Sequence, residues 1–374
     1  MKKSAIVIGA GIVGLATARA LGARGYRVTV FERDEKAVGA SIRNFGMVWP
    51  IGQPVGKLYD RAMKSRGFWK ELLGGAGLWF EETGSLHVVY EEDELTFAEE
   101  LAAQRNDPNI AVLTPQQTLA RSPAVNPDGL RGSLWSATEV IVDPRQAIAA
   151  LPEILSARYD ISFHWRTVIN RISYPAVFSG SRQWEADEIY VCSGQDFETL
   201  YPDTYREAPI TKCKLQMMRV ESQPDAWRIG PALCGALSFI HYESFKAPTS
   251  HAALKKRLQD EYPEYVRWGI HVMAAQNGLG EITLGDSHEY GLSFDPFDKA
   301  FINDLVLTYL ARFARFKSMK LSQSWNGIYA KMLNGATEIV LNPEPGVTVI
   351  NGLGGNGMTL SFGLCEEIIS GQYS

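Results

Sequence analysis

The sequence predicts an α/β fold in which a parallel sheet is assembled from distant parts of the chain, with a mixed, largely antiparallel region between them. Three observations predict it. Residues 4–31 read as strand, glycine-rich turn, helix and strand. Residues 347–374 repeat the order of strand, glycine-rich turn and helix at the other end. Between them, residues 210–292 carry several strand-like runs instead of regular strand–helix alternation. The length of 374 residues suits two domains or one large α/β domain, and 45% hydrophobic against 21% charged residues allows a sizeable core.

The elements follow in order. Residues 4–8 form a short apolar run, a buried strand, and 9–14 are rich in glycine. Residues 12–24 have helical spacing with small side chains, and 27–31 form a second apolar strand ending at Glu32 and Arg33. A helix is expected over 53–73, with Trp69 and Leu73 on its apolar face, then a strand over 84–90 and a charged helix over 91–106. Residues 140–144 precede a helix at 145–157, and strands are expected at 161–163, 167–172 and 187–193. The middle of the chain offers strands at 214–220, 237–242, 269–274 and 281–285, and an amphipathic helix at 299–316. A final strand at 347–351 leads through 352–357 into a closing helix. No internal repeat or low-complexity segment is present.

Composition narrows the function. With 37 basic and 42 acidic residues the net charge is −5, so the surface as a whole is not built for nucleic acid. The most apolar segments are short and broken by glycine or charge, so no membrane span is expected. The start, MKKSAIVIGAG, superficially resembles a signal peptide, but its apolar run passes through GAGIVG into ordinary strand and helix. Cys192, Cys213, Cys234 and Cys365 form no CxxC pair and have no zinc-like spacing with histidine. They read as reduced, mostly buried thiols of a cytoplasmic protein, and no metal ligands are expected.

The first turn is the sharpest signal. Gly9 permits the tight turn after the strand, Gly11 lets backbone approach a pyrophosphate, and Gly14 lets the helix pack on the sheet. The helix N-terminus, with Ile12 and Val13, favours anionic phosphates. Glu32, closing the second strand, is placed to accept from ribose hydroxyls. This Rossmann-like unit serves NAD and FAD alike. Two further segments favour FAD. The strand at 187–193 ends in Ser193 and Gly194, where a second backbone approach fits. The run Gly352-Leu353-Gly354-Gly355-Asn356-Gly357-Met358-Thr359 strips side chains away just before a helix. A helix N-terminus aimed at a flavin stabilises the negative charge that appears on reduction.

The order GAGIVGLATA, VFER, DEIYVCSG and GLGGNGMT resembles the D-amino-acid oxidase, glycine oxidase and sarcosine oxidase family of flavoproteins over nearly the whole chain. The resemblance implies FAD, bound without a covalent link, in a two-domain fold with an antiparallel sheet over the flavin. Covalent attachment through Cys365 is the minor alternative. The expected FAD-binding part comprises 1–75, 145–208 and 325–374, and the substrate part 76–144 and 209–324. The resemblance implies hydride transfer from an amine-bearing carbon to flavin N5. It places Arg33, Ser41, Arg43, Asn44 and Val168 beside the cofactor, together with Gly354, Gly355, Asn356, Gly357, Met358 and Thr359.

On the substrate side, Ser41 is expected to bond the cofactor phosphates or ribityl chain, and Arg43 and Asn44 to reach the flavin edge or an anionic substrate. The strand holding LGDSHEYG resembles the one that sets a side chain over the flavin, and His288 falls there. His241 and Tyr242 are read as ending another strand near the site. One position departs from the pattern. Family amino-acid oxidases grip the substrate carboxylate with an arginine in a stretch resembling WNGIYA, and Tyr329 stands at that place. A tyrosine cannot replace the bidentate fork of arginine. Arg43, Lys212, Lys214 and Lys331 are the alternative cations. The phrases SIRNFGMVWP, QMMR and LGDSHEYG resemble a subgroup linked to phosphonate catabolism.

The resulting expectation is an FAD-dependent enzyme that oxidises a small primary or secondary amine with an anionic group, with O2 or another electron acceptor. An aminoalkylphosphonate or its N-methyl form fits the resemblance. His288, Arg43, Tyr242 and Tyr329 are the expected catalytic residues. Two readings stay open beside it: a flavin dehydrogenase of a hydroxy acid or sugar-alcohol phosphate, with His288 as base, and a non-catalytic FAD-containing binding protein.

Overall fold

In the computed structural model, which describes residues 2–373, the two ends of the chain meet in one sheet. Its six strands lie in the order Ile339–Glu344, Val347–Asn351, Glu188–Val191, Ser4–Ile8, Arg27–Phe31 and Ile161–His164. All pairings are parallel except that of Ile339–Glu344 with Val347–Asn351. Both faces are covered, which is why its central strands are near-continuous apolar runs without alternation. Helices Ile12–Gly22 and Gly357–Ile369 pack together on one side, and Lys57–Gly75 packs on Gly357–Ile369. A Cβ at Gly363 would stand 2.4 Å from Arg61 O, so the two helix backbones nearly touch. Arg61 is buried there and bonds Glu338 at 2.8 Å and Glu367 at 2.7 Å.

The second, nine-stranded sheet is mostly antiparallel. Its axis is Ile210–Val220, which pairs along its whole length with Leu321–Met332. The other edge of Ile210–Val220 pairs with Ile282–Gly285 and Glu289–Gly291. Cys213 therefore sits between Tyr329 and Tyr290 in register, which brings the segment around His288 near the strand that carries Tyr329 and Lys331. The boundary expected at residue 325 falls inside Leu321–Met332. The mixed α/β architecture is the one the sequence predicts.

Several element expectations are corrected. Residues 237–242 are not a strand: Ala236–Ile240 is a 3-10 helix. Leu237 and Phe239 are buried in the core there, and an apolar run of that length does not distinguish strand from buried helix. Of 167–172 only the end is strand, at Arg171–Ser173, because Thr167 N is held by Glu32 O at the sheet edge. Of 269–274 only the end joins Met273–Gln276, since Gly269 has φ +59° and leaves the extended conformation there. The helix expected from 53 begins at Lys57, after Pro54 and a Gly56 at φ +93°. Strands Ile110–Leu113, Gly132–Ser136, Ala176–Ser179, Arg182–Glu185 and Ile339–Glu344 add to those the sequence predicts. All four cysteines are free and buried, and among the described residues no helix is long and apolar enough to cross a membrane.

Candidate active site

One cavity of about 1060 Å³ runs from the first glycine turn to the large sheet. Ligand pockets span roughly 300–1,000 Å³, so it has room for an extended dinucleotide and a small molecule beside it. At one end, Gly9 turns at φ +104°, and a Cβ there would lie 2.4 Å from Cys192 O. A Cβ at Gly14 would lie 1.9 Å from Gly9 O, so helix and turn are in backbone contact. Gly14 thus acts through packing and does not line the cavity. Gly11 is the N-cap of its helix, with no side-chain cap and no acidic residue in the first turn. Ile12 N donates to Ser41 Oγ at 2.9 Å, tying the loop around Ser41 to the helix start.

Glu32 lines the cavity and braces the loop, accepting from Ala10 N at 2.8 Å and Asp34 N at 3.2 Å. Arg33 pairs with Asp196, and Ser193 Oγ donates to Asp196 O at 2.8 Å. Gly194, at φ +60°, is fixed by Asn351 Nδ2, which donates to its carbonyl at 2.8 Å. Val13 and the exposed Val168 also line this end. The second glycine run enters at Gly352, φ +81°, and Gly354, φ +59°. Helix Gly357–Ile369 then opens with no side-chain cap and no acidic residue in its first turn. Gly354, Gly355, Asn356, Gly357, Met358 and Thr359 all line the cavity. Neighbours hold the turn in place: Thr359 Oγ1 accepts from Trp49 N at 3.0 Å, and Asn356 Oδ1 from Gln53 Nε2 at 3.1 Å. Two helix N-termini without acidic residues in their first turns and two glycine-rich turns on one cavity fit a ligand that is anionic in one part and flat in another.

Two expectations on this end change. The Asn44 amide is spent on its own loop, donating to Ala40 O and Ser41 O at 3.0 and 2.9 Å and accepting from Gly46 N at 2.8 Å, so it is not free to reach a flavin edge or substrate. Cys365 is fully buried, bonded to Thr17 Oγ1 and Val13 O, and lies outside the cavity lining. Burial pushes its thiol up to about 12, which opposes the thiolate that covalent attachment needs.

The rest of the lining is assembled from five separate segments: Arg43, the pair His241 and Tyr242, His271, the run Asp286 to His288, and Tyr329 with Lys331, of which the last adjoins the second glycine turn at Gly354 and Gly355. Arg43 Nη1 donates to Asn326 O at 3.1 Å, and no carboxylate pairs with it among the described residues. Lys331 likewise has no ion-pair partner among the described residues. Lys212 lines the cavity but pairs with Glu198 at 2.7 Å. Lys214 is buried elsewhere, donating to Asp295 O at 2.8 Å and Phe297 O at 2.9 Å. Of the four alternative cations, Arg43 and Lys331 are therefore the ones left free in this part of the cavity.

Tyr329 and Tyr242 are half-buried, and the desolvation of their hydroxyls pushes both phenols well above their ordinary range and keeps them protonated. Among the described residues the hydrogen-bond partner of Tyr242 Oη is a sulfur, Met273 Sδ at 3.7 Å. His241 and Tyr242 follow the 3-10 turn instead of ending a strand. His241, His271 and His288 cluster, with ring centroids 3.8 Å, 4.6 Å and 5.2 Å apart. Burial, then neighbouring imidazoles, holds His241 and His271 well below the ordinary histidine range. Asp286 lies 3.2 Å from His271 Nε2 and 3.9 Å from His288 Nε2. Burial pushes its carboxyl up to about 6, against the opposing pull of His288. Sequence reasoning finds His288 and misses His271 and Asp286. Asp286 sits in the same LGDSHEYG phrase, whereas nothing around His271 marks it.

The fold and the cavity define a flavoprotein-like oxidoreductase architecture. Residues 4–370 match the family model described as FAD dependent oxidoreductase, and the chain belongs to that family; FAD is its cofactor. It is similar to the D-amino acid dehydrogenase of Helicobacter pylori, 27% identical over 207 residues covering 41% of this chain and 50% of that protein. It is also similar to one of the subunits of the opine oxidase of Rhizobium meliloti, 29% identical over 149 residues, or 36% of this chain and 39% of that one. The matches span 31% to 50% of the length of the curated relatives. In fold it is similar to the glycine oxidase of Bacillus cereus, with TM-score 0.77 at 16% identity, covering 100% of this chain and 96% of that one.

Proposed function

We propose that this protein oxidises a small primary or secondary amine carrying an anionic group, best an aminoalkylphosphonate or its N-methyl form, with FAD bound non-covalently. The observation that carries the reading is the pairing of two unneutralised cations, Arg43 and Lys331, with neutral polar groups on the cavity wall that adjoins the second glycine turn, where a Cβ at Gly354 would lie 3.6 Å from Lys331 Nζ. An anion gains most where donors are preorganised and water is largely excluded. The names of the relatives, a D-amino acid dehydrogenase, an opine oxidase and a glycine oxidase, agree with a substrate of the amino-acid type.

In this reading the backbone around Gly9, Gly11 and Gly354–Asn356 and the two helix N-termini would hold the cofactor, with Glu32 as the acceptor for its ribose hydroxyls. Bound there, FAD would supply the acceptor for the hydride that leaves the amine-bearing carbon. Arg43 and Lys331 hold the anionic group and so set which carbon is presented. Tyr242 and Tyr329 stay protonated and serve as hydrogen-bond donors. The amine reacts in its neutral form, because its lone pair forms the C=N bond as the hydride leaves, and water then hydrolyses the imine to a carbonyl compound and an amine. The protein's contribution is orientation and electrostatics, with no strong base required. O2 or another acceptor would be the final oxidant that balances the reaction.

The test is anaerobic stopped-flow reduction with matched amines that differ only in phosphonate against carboxylate. Faster reduction by the phosphonate is expected, with common D-amino acids poor. Equal or faster reduction by the carboxylate would refute the phosphonate assignment and leave the broader amine reading. Reduction by hydroxy acids or sugar-alcohol phosphates, with amines inert, would replace it with the alcohol-oxidising alternative.

A further inference from the structure

The three imidazoles at the substrate end have an arrangement that the amine reading does not use. His241, His271 and His288 each present a ring nitrogen, and these nitrogens lie within 4.8 Å of one another. His271 and His288 are buried, and so is the Asp286 carboxylate beside them. His288 Nδ1 lies 2.8 Å from Gly269 O, which can only accept. Neutral His288 therefore carries its proton on Nδ1 and turns the lone pair of Nε2 toward Asp286, 3.9 Å away. A ligating histidine is commonly oriented this way, its second nitrogen donating to a backbone carbonyl.

The cluster is also unsatisfied. His271 Nδ1 and Asp286 Oδ1 are buried with no hydrogen-bond partner. His271 Nε2 stands 3.2 Å from Asp286 Oδ1 without a hydrogen bond between them. Buried polar groups left in this state are rare and costly. A cation between them would satisfy lone pairs that now face one another. Metal–nitrogen bonds of about 2.0–2.1 Å in a tetrahedron set ligand atoms roughly 3.4 Å apart. The His271–Asp286 distance of 3.2 Å is close to that value, the His288–Asp286 distance of 3.9 Å is somewhat longer, and the histidine nitrogens within 4.8 Å of one another would have to draw together around an ion.

We propose that His241, His271, His288 and Asp286 bind one divalent first-row metal ion of the zinc class, and that the ion helps hold the anionic group of the substrate. Imidazole with a carboxylate suits such ions. All four side chains line the cavity, so an ion they hold faces it and can take a phosphonate or carboxylate oxygen as a further ligand. Lys331 lies on the same cavity wall, where it would meet the remaining anionic oxygens. The ion supplies charge in the place where Tyr329 leaves out the family's arginine. The second half of the proposal rests on the amine reading; the first does not.

The test uses the tag-free, flavin-loaded protein, stripped with a chelator and dialysed against zinc. Metal analysis should return about one zinc per chain in the wild type. His271→Ala and Asp286→Asn should each weaken binding by at least roughly tenfold, with flavin content unchanged as the check on folding. A wild type without stoichiometric zinc would overturn the site, as would zinc retained in a His241→Ala/His271→Ala double variant that keeps its flavin. The anion-holding role is read separately. Zinc should lower the apparent Kd of a phosphonate amine and leave that of a neutral amine unmoved; an equal effect on both would overturn that role. Zinc bound stoichiometrically while no amine reduces the flavin would leave the metal site standing and sink the amine reading.

Discussion

Two walls of the cavity are built by opposite means. The glycine-turn wall is made of backbone: two turns whose missing side chains admit the ligand and two helix N-termini that present amides. Each lies within one contiguous stretch, so local geometry carries nearly all of its function. The other wall is made of side chains from five segments, and no single segment has a meaning alone. A site made of backbone is destroyed by adding an atom. A site made of side chains is altered by removing one. Mutations in the two walls should therefore differ in kind as well as size.

The largest effect is expected at Gly14. A valine there would drive its Cβ to within 1.9 Å of Gly9 O, a clash with backbone that cannot rotate away. Overpacking of this sort costs about 3 kcal/mol or more. Gly14→Val should yield protein that is colourless and melts early, read from the flavin-to-protein absorbance ratio and a thermal scan. A yellow, normally stable variant would break the view of this wall as a backbone site.

Next comes Glu32→Ala. It removes a carboxylate that braces Ala10 N and Asp34 N and faces the cavity. Losing one charge-assisted hydrogen bond costs about 1.5–3 kcal/mol, or roughly a tenfold to hundredfold loss of FAD affinity. Fluorescence titration of the apoprotein measures it, and an unchanged dissociation constant would remove Glu32 from the cofactor site.

On the side-chain wall, Arg43→Ala and Lys331→Ala should each slow reduction by an anionic amine by roughly tenfold to hundredfold for a lost charge-assisted contact. Both should narrow the difference between phosphonate and carboxylate. Arg43→Ala should keep full flavin content, and its loss of flavin would break the contrast between backbone and side-chain walls, whereas Lys331 packs on the Gly354 turn and is read by substrate reduction alone. The smallest effect is expected for Tyr242→Phe. Among the described residues the partner of its hydroxyl is the weak acceptor Met273 Sδ, so substrate reduction should change by no more than a few-fold. A loss of about a hundredfold would place that hydroxyl directly on the reacting amine.

The legibility of the two walls in the sequence follows the same division. Gly9, Gly11 and Gly14, with Glu32 at the end of the next strand, are readable because the turn, the helix start and the strand end are fixed by neighbours a few residues away. Gly354 to Thr359 are readable for the same reason. On the side-chain wall His288 and Tyr329 are found only through resemblance to a family pattern. Asn44 lines the cavity, but that its amide is engaged by the carbonyls of its own loop is visible only in the structure. The run 237–242 misleads because an apolar stretch with no polar alternation satisfies a buried strand and a buried 3-10 turn equally well.

By itself, then, the sequence determined that this chain holds a parallel sheet with glycine turns at both ends of the chain, and that the turns suit a dinucleotide. Those features depend on φ angles and side-chain size at consecutive positions, which the residue order states outright. Only the tertiary structure decided that Lys214 is withdrawn while Lys331 and Arg43 stay unpaired. It alone brought His241, His271 and His288, from three separate segments, around Asp286. That gathering follows from the register of Met273–Gln276 against Ile282–Gly285, with Met273 opposite Gly285, while His241 comes in from the end of the 3-10 turn Ala236–Ile240. Register is set by the packing of whole sheet faces, a sum over many distant contacts that no short stretch of sequence contains.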